Sequence, residues 1–139
     1  MSEFRFSKRI EVRFRDCDPM GHVNNAVYLT YLEVARFAYW RHVFAGHDAG
    51  GLQFILARME CDFRAQAAMG EELDVHVRVS RLGRSSFDFD AEIVRVADDV
   101  RILESRAVMV VYDYAAQTPV PIPEAARRRI EEFEGDGRG

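Results

Sequence analysis

Hydrophobic positions recur along this chain with two different periods. From Arg9 to Arg15, Ile10, Val12 and Phe14 alternate with Glu11, Arg13 and Arg15, the pattern of a half-buried strand. The strand is expected to end at Asp18-Pro19-Met20-Gly21, where proline presets a turn and glycine closes it. From Val27 to Phe44 the pattern changes, and only Thr30, Glu33, Arg36, Arg41 and His42 are clearly polar. Thr30, Glu33 and Arg36 lie three apart, so they form one narrow stripe on a helix that is otherwise apolar on nearly every side. Such a helix is buried or spans a membrane, and the charges of Glu33, Arg36 and Arg41 argue against a span. Asn24 and Asn25 stand where an N-cap belongs, and the helix is expected to stop near Gly46. At about 20 residues it is roughly 30 Å long, the width of a small domain.

Beyond Gly50-Gly51 the period returns to two. Ile55, Ala57, Met59, Cys61 and Phe63 alternate with Leu56, Arg58, Glu60 and Asp62. Leu73, Val75, Val77 and Val79 alternate with Asp74, His76, Arg78 and Ser80, a strand with one wet face. Phe87, Phe89, Ala91 and Ile93 form a further strand, and Ile102 to Tyr112 the last long one. Short connections near Gly70 and Gly83 favour antiparallel neighbours. Pro119, Pro121 and Pro123 make an extended exit, and Pro123 opens a short amphipathic helix to about residue 134. The expected class is α+β: one antiparallel five-stranded sheet, apolar on one face, curled around one long helix. All 139 residues are read as a single domain, with its core at about 8–123.

Composition narrows the function little. The net charge of -4 gives no support to a nucleic-acid surface. Two cysteines, Cys17 and Cys61, are too few for a disulfide framework. With no signal peptide and no run of 18 apolar residues, the expectation is a reduced, cytoplasmic protein. His42, His47 and His76 show no ligand spacing with cysteines or carboxylates, so no metal is assigned.

The stretch Asp16-Cys17-Asp18-Pro19-Met20-Gly21-His22-Val23-Asn24-Asn25, followed by Tyr28, Tyr31, Glu33 and Ala35-Arg36, resembles the signature of hot-dog-fold acyl-CoA thioesterases. Within that superfamily it is most similar to the 4-hydroxybenzoyl-CoA thioesterase family. The resemblance extends through Ile55–Phe63 and Arg81–Phe87 to the closing strand, covering about residues 8–123. It implies the wrapped-helix fold already reached from patterning. It also implies hydrolysis of an acyl-CoA to free acid and CoA without a separate cofactor, in a homodimer or homotetramer whose sites are completed across the interface.

For the site, the resemblance implies that the carboxylate of Asp18 attacks the thioester carbonyl or activates water, and that the helix-end amide of Asn25 meets the oxyanion. The physical reason is independent of the family. A helix N-terminus offers unpaired N–H groups and a positive dipole end, the donors that a developing oxyanion needs. On this reading the N–H of Asn24 or Asn25 polarises the carbonyl. His22 either orients the attacking water or is an ordinary loop histidine, and Asn25 either holds a reacting group or merely caps the helix. Asp16 is expected to terminate the strand. Glu33 and Arg36 are expected to form a structural ion pair. Arg84 and Ser85 match a segment that contacts CoA phosphates, while the plain alternative is a solvated turn. Met20, Val27, Tyr28 and Tyr31 are candidates for the wall of an acyl pocket, and each is equally well explained as core. Acyl carrier protein in place of CoA, and a binding module without turnover, are the alternatives.

Overall fold

A computed structural model describes residues 4–135 of the chain. Strand β1 (Phe6–Glu11) and a single 3-10 turn (Phe14–Asp16) lead into the long helix α1 (Asn25–Val43). Four long strands follow: β2 (Phe54–Phe63), β3 (Glu72–Leu82), β4 (Ser86–Arg95) and β5 (Arg101–Asp113). A short strand β6 (Thr118–Pro119) and helix α2 (Glu124–Glu134) complete the described chain. The sheet order is β1-β3-β4-β5-β2, with β6 paired to β5, and every pairing is antiparallel.

The period-two strands bury one face against α1. Leu73, Val75, Val77 and Val79 are fully buried, while Asp74, His76, Arg78 and Ser80 between them keep partial exposure. Tyr28, Tyr31, Leu32, Ala35, Tyr39 and Val43 form the buried face of the helix. The opposite polar face of the sheet is laced by ion pairs, among them Arg9–Asp74, Arg78–Asp90 and Arg106–Asp90.

Three sequence expectations are corrected. The first strand ends at Glu11 rather than Arg15, and Phe14, expected to point inward, is 81% exposed. The cause is local: the Asp16 carboxylate accepts the backbone N–H of Arg13 at 3.0 Å and turns the chain before the alternation can continue. The helix is covered on one side only, leaving Leu29, Val34 and Phe37 exposed. Finally, Glu33 and Arg36 make no ion pair within 4 Å among the described residues. Glu33 is exposed and Arg36 half-buried, where desolvation lowers the pKa of its guanidinium against the opposing pull of the Glu33 carboxylate.

Strand β2 is the edge of the sheet opposite β1. Among the described residues it pairs with β5 alone, carries a bulge between Leu56 and Arg58, and has no fully buried residue along its length. A ten-residue edge with apolar side chains on it is a template for pairing with another strand.

Candidate active site

The segment between β1 and α1 is a small hairpin. The N–H of Asp18 donates to the carbonyl of His22 at 2.8 Å, and the N–H of Gly21 donates to the carbonyl of Asp18 at 2.9 Å. Gly21 sits at φ +88°, a left-handed conformation that a side chain would strain, which is why glycine closes this loop. Cys17 and Val23 face each other across the hairpin base. One turn further out, His22 bridges to Ala68 and the N–H of Val23 donates to the carbonyl of Ala67. The loop is thereby held against the connection that precedes β3.

Asp18 is fixed by its own loop. One carboxylate oxygen, Oδ1, accepts the N–H of Met20 at 2.9 Å and the N–H of His22 at 3.3 Å. The other oxygen accepts no hydrogen bond among the described residues and is left for a ligand or water. The side chain lines a cleft of about 650 Å³ together with Phe14, Arg15, Cys17, Pro19, Gly21, Ala68 and Met69. Phe14 and Met69 are both more than half exposed along its lining, an apolar rim about a carboxylate.

The helix end has one donor to offer. The side chain of Asn24 caps α1 by accepting the N–H of Ala26 at 2.9 Å, and its own N–H is spent on the carbonyl of Asp16 at 3.0 Å. Asn24 is therefore withdrawn as an oxyanion donor. The N–H of Asn25, the first helical residue, finds no backbone acceptor among the described residues. Asn25 borders a second, smaller cleft of about 200 Å³ with Val23, Tyr28, Phe63, Arg64, Ala65 and Gln66. Within one chain the Asp18 and Asn25 clefts are adjacent, joined by the segment 65–69, and not a single cavity.

The other expected residues fall as follows. His22 meets Asp18 through its backbone, and its imidazole makes no hydrogen bond among the described residues. The hydroxyl of Tyr28 is buried and accepts the N–H of Ala67 at 3.0 Å, while its ring borders the Asn25 cleft. Arg84 is exposed in the β3–β4 turn, and the Arg84 and Ser85 carbonyls accept the N–H groups of Ile122 and Val111. That turn lies at the end of β3 remote from Asp18. An 11-residue strand at roughly 3.3 Å per residue puts about 35 Å between the two ends. A single chain does not bring Arg84 and Ser85 to Asp18.

Two residues matter more than their sequence reading allowed. Asp16, 3% exposed, accepts the hydroxyl of Tyr31 at 2.7 Å, along with the backbone N–H and the guanidinium of Arg13. Burial pushes its pKa up, but the hydrogen bonds from Arg13 and Tyr31 outweigh it and hold the carboxyl below its ordinary value. Burial, and then the bond to Asp16, raise the pKa of the Tyr31 phenol strongly, so it remains a donor. Tyr31 thus belongs to this brace and not to a pocket wall. Among the described residues no group of three or more His, Cys, Asp or Glu is placed to hold a metal ion. No helix among them is long and apolar enough to cross a membrane.

Comparison with known proteins bears on this geometry. Residues 12–130 match the model of the thioesterase-like superfamily. A thioesterase from Thermus thermophilus, solved with coenzyme A and zinc, superimposes with a TM-score of 0.83 at 38% identity, covering 98% of both chains. The acyl-acyl carrier protein thioesterase ATL3, chloroplastic, of Arabidopsis thaliana is 27% identical over 136 residues, 96% of this chain and 70% of that protein. The acyl-CoA thioester hydrolase YbgC of Escherichia coli O157:H7 is 23% identical over 128 residues, 90% of this chain and 95% of that one. A shorter match, 31% over 85 residues, joins 61% of this chain to 58% of the Bacillus subtilis protein YsmA, so the aligned part is under two thirds of that relative.

Proposed function

The chain belongs to the thioesterase-like superfamily, and from that premise we propose that it hydrolyses an acyl-CoA to free acid and CoA at Asp18. The observation that carries the proposal is the Asp18 carboxylate itself. It is anchored through Oδ1 by two backbone N–H groups and lines a cleft, while the unclaimed N–H of Asn25 stands at the helix start beside the adjoining cleft. Coenzyme A enters as part of the substrate, so the reaction as proposed needs no separate cofactor.

Asp18 has two chemically balanced routes. As a base, its second oxygen takes a proton from water. The resulting hydroxide adds to the thioester carbonyl, the N–H of Asn25 stabilises the oxyanion, and collapse breaks the C–S bond as the leaving thiolate takes back the proton held by Asp18. As a nucleophile, the carboxylate itself adds, expels the thiolate and leaves a mixed anhydride that water opens. Oxygen from labelled water found in the Asp18 side chain, which requires water to open the anhydride at the Asp18 carbonyl, establishes the second route. His22, Asn24 and Tyr28 enter the proposal as supports of this region, His22 and Asn24 by their backbone bonds and Tyr28 by its ring and its hold on Ala67.

We assign Arg84 and Ser85 to the nucleotide end of CoA, and this requires a second copy of the chain. Because β2 is an open edge, two copies can pair through it antiparallel about a two-fold axis. The Phe54 end of β2 lies beside Val111 and so beside Ser85, whereas the Phe63 end lies beside Tyr28 near the start of α1. Antiparallel pairing sets one end against the other and carries Arg84 and Ser85 of one chain toward the helix start of its partner. The exposed Leu29, Phe37 and Leu56 supply apolar surface for such a homodimer. A homotetramer adds a second interface between dimers. We propose a cytoplasmic location, consistent with the free thiols of Cys17 and Cys61.

The second reading is an acyl carrier protein substrate, favoured by the likeness to the plant enzyme over nearly the whole chain. The test is free-thiol release from short, long and aromatic acyl-CoAs beside the same acyl groups on carrier protein. Faster turnover of the CoA esters supports the first reading, and faster turnover of the carrier-bound esters the second. Tight acyl-CoA binding with no release from either would replace both by a binding module.

A further inference from the structure

We propose that Asp16 and Tyr31 are positioning residues that set the place of Asp18, an assignment resting on the reading of Asp18 as the reacting carboxylate. Asp16 is where three parts of the molecule meet. Its carboxylate takes the Tyr31 hydroxyl from the second turn of α1 at 2.7 Å. It takes the N–H of Arg13 from the incoming chain at 3.0 Å. Its carbonyl takes the N–H of Asn24, the cap of the same helix, at 3.0 Å.

The hairpin that carries Asp18 leaves from Asp16 and returns at Asn24. Both ends of that hairpin are therefore fastened to α1, one through Asn24 as the helix cap and the other through Tyr31. Asp18 lies two residues beyond this fastening, with Oδ1 already committed to Met20 and His22. A rotation of the hairpin base relative to α1 moves the Asp18 carboxylate and the Asn25 N–H apart as a rigid-body change. Displacements on the order of 1 Å between reacting groups cost up to about 10²-fold in rate.

The arrangement makes a particular demand on chemistry. Oδ2 of Asp16 receives the Tyr31 hydroxyl, the Arg13 backbone N–H and, at 3.5 Å, the Arg13 Nε, while Oδ1 accepts from the other arm of the same largely exposed guanidinium at 3.1 Å. The two bonds that reach inward thus share one acceptor oxygen, Oδ2. An asparagine at this position, with its amide oxygen in the place of Oδ2, keeps both inward bonds and loses only the outward one. An alanine loses all of them and leaves the Tyr31 hydroxyl buried without its acceptor.

The experiment compares Tyr31→Phe, Asp16→Ala and Asp16→Asn with wild type and Asp18→Asn in a thiol-release assay, at a temperature well below each variant's melting point. Tyr31→Phe and Asp16→Ala are expected to lower kcat by about 10- to 100-fold with KM within about two-fold. Asp16→Asn is expected to recover most of what Asp16→Ala loses. A wild-type kcat in a folded Tyr31→Phe protein with a lowered melting point would make the pair purely structural and overturn the inference. An Asp16→Asn variant as slow as Asp16→Ala would do the same, by making charge rather than the acceptor decisive. If Asp18→Asn retains activity, the reading of Asp18 fails separately, whatever the other variants do.

Discussion

The hydroxyl of Tyr39, in the C-terminal half of α1, donates a hydrogen bond to the carboxylate of Glu134 at the end of α2. The same carboxylate oxygen accepts the N–H of Val79, beside the bulge in β3. Glu134 is only 7% exposed, so the last turn of α2 is fastened to the long helix and the sheet at once. Replacing Glu134 with alanine removes the acceptor of two buried donors. The expected loss is about 1–3 kcal/mol in urea unfolding, with turnover of the folded protein unchanged.

Acid should weaken the fold through carboxylates held by arginine partners. Asp16 and Asp90 both have pKa values held below 3.8: burial acts to raise them, but Arg13 and Tyr31 outweigh it at Asp16, and Arg106 with Arg78 outweighs it at Asp90. A depressed folded value means that the stabilisation is present above the ordinary carboxylate pKa and is lost as pH falls through the folded value. Melting temperature should therefore drop as pH is lowered through and below 3.8. Asp90→Asn should flatten that acid limb while lowering stability at neutral pH. An unchanged slope would remove Asp90 from the acid response.

If the proposed homodimer forms along β2 and the open flank of α1, charges placed there will separate it. Leu56 and Phe37 are 51% and 62% exposed within one chain, so Leu56→Arg and Phe37→Glu should cost the isolated fold little, within about 0.5 kcal/mol. Light scattering should show both variants as monomers, with turnover lost in proportion. Variants that remain dimeric and active would place the interface elsewhere.

Legibility in the sequence followed the range of the interaction. Leu73, Val75, Val77 and Val79 were readable as a buried face because period two is local, and all four are fully buried. A cap at the Asn24-Asn25 pair and the turn at Gly21 were readable for the same reason, and of the pair it is Asn24 that caps while Asn25 is the first helical residue. Phe14 was misread because alternation cannot register that Asp16 captures the N–H of Arg13 and bends the chain. Asp16 itself looked like a strand terminator, since its bond to Tyr31 spans 15 positions and crosses from loop to helix. The outer flank of α1 read as buried because its apolar residues are real, but in one chain Leu29 and Phe37 remain exposed. The separation of Arg84 from Asp18 is a property of strand length and sheet order, and no motif encodes it.

Arg84→Ala separates nucleotide contact from acyl chemistry. Its expected effect is an increase of about 10-fold in KM for CoA thioesters, the scale of one charge-assisted contact, with kcat nearly unchanged. Simple thioesters lacking the nucleotide should be hydrolysed as by wild type. Equal losses on both substrates would count against a phosphate contact.

The central claim is that the free oxygen of Asp18 reacts. Asp18→Asn keeps the size of the side chain and an oxygen able to accept from Met20 and His22, so the loop should persist. Thiol release from the best acyl-CoA should fall by at least about 10² in kcat, with substrate binding largely retained. Turnover within a few-fold of wild type in the Asp18→Asn protein would contradict the account.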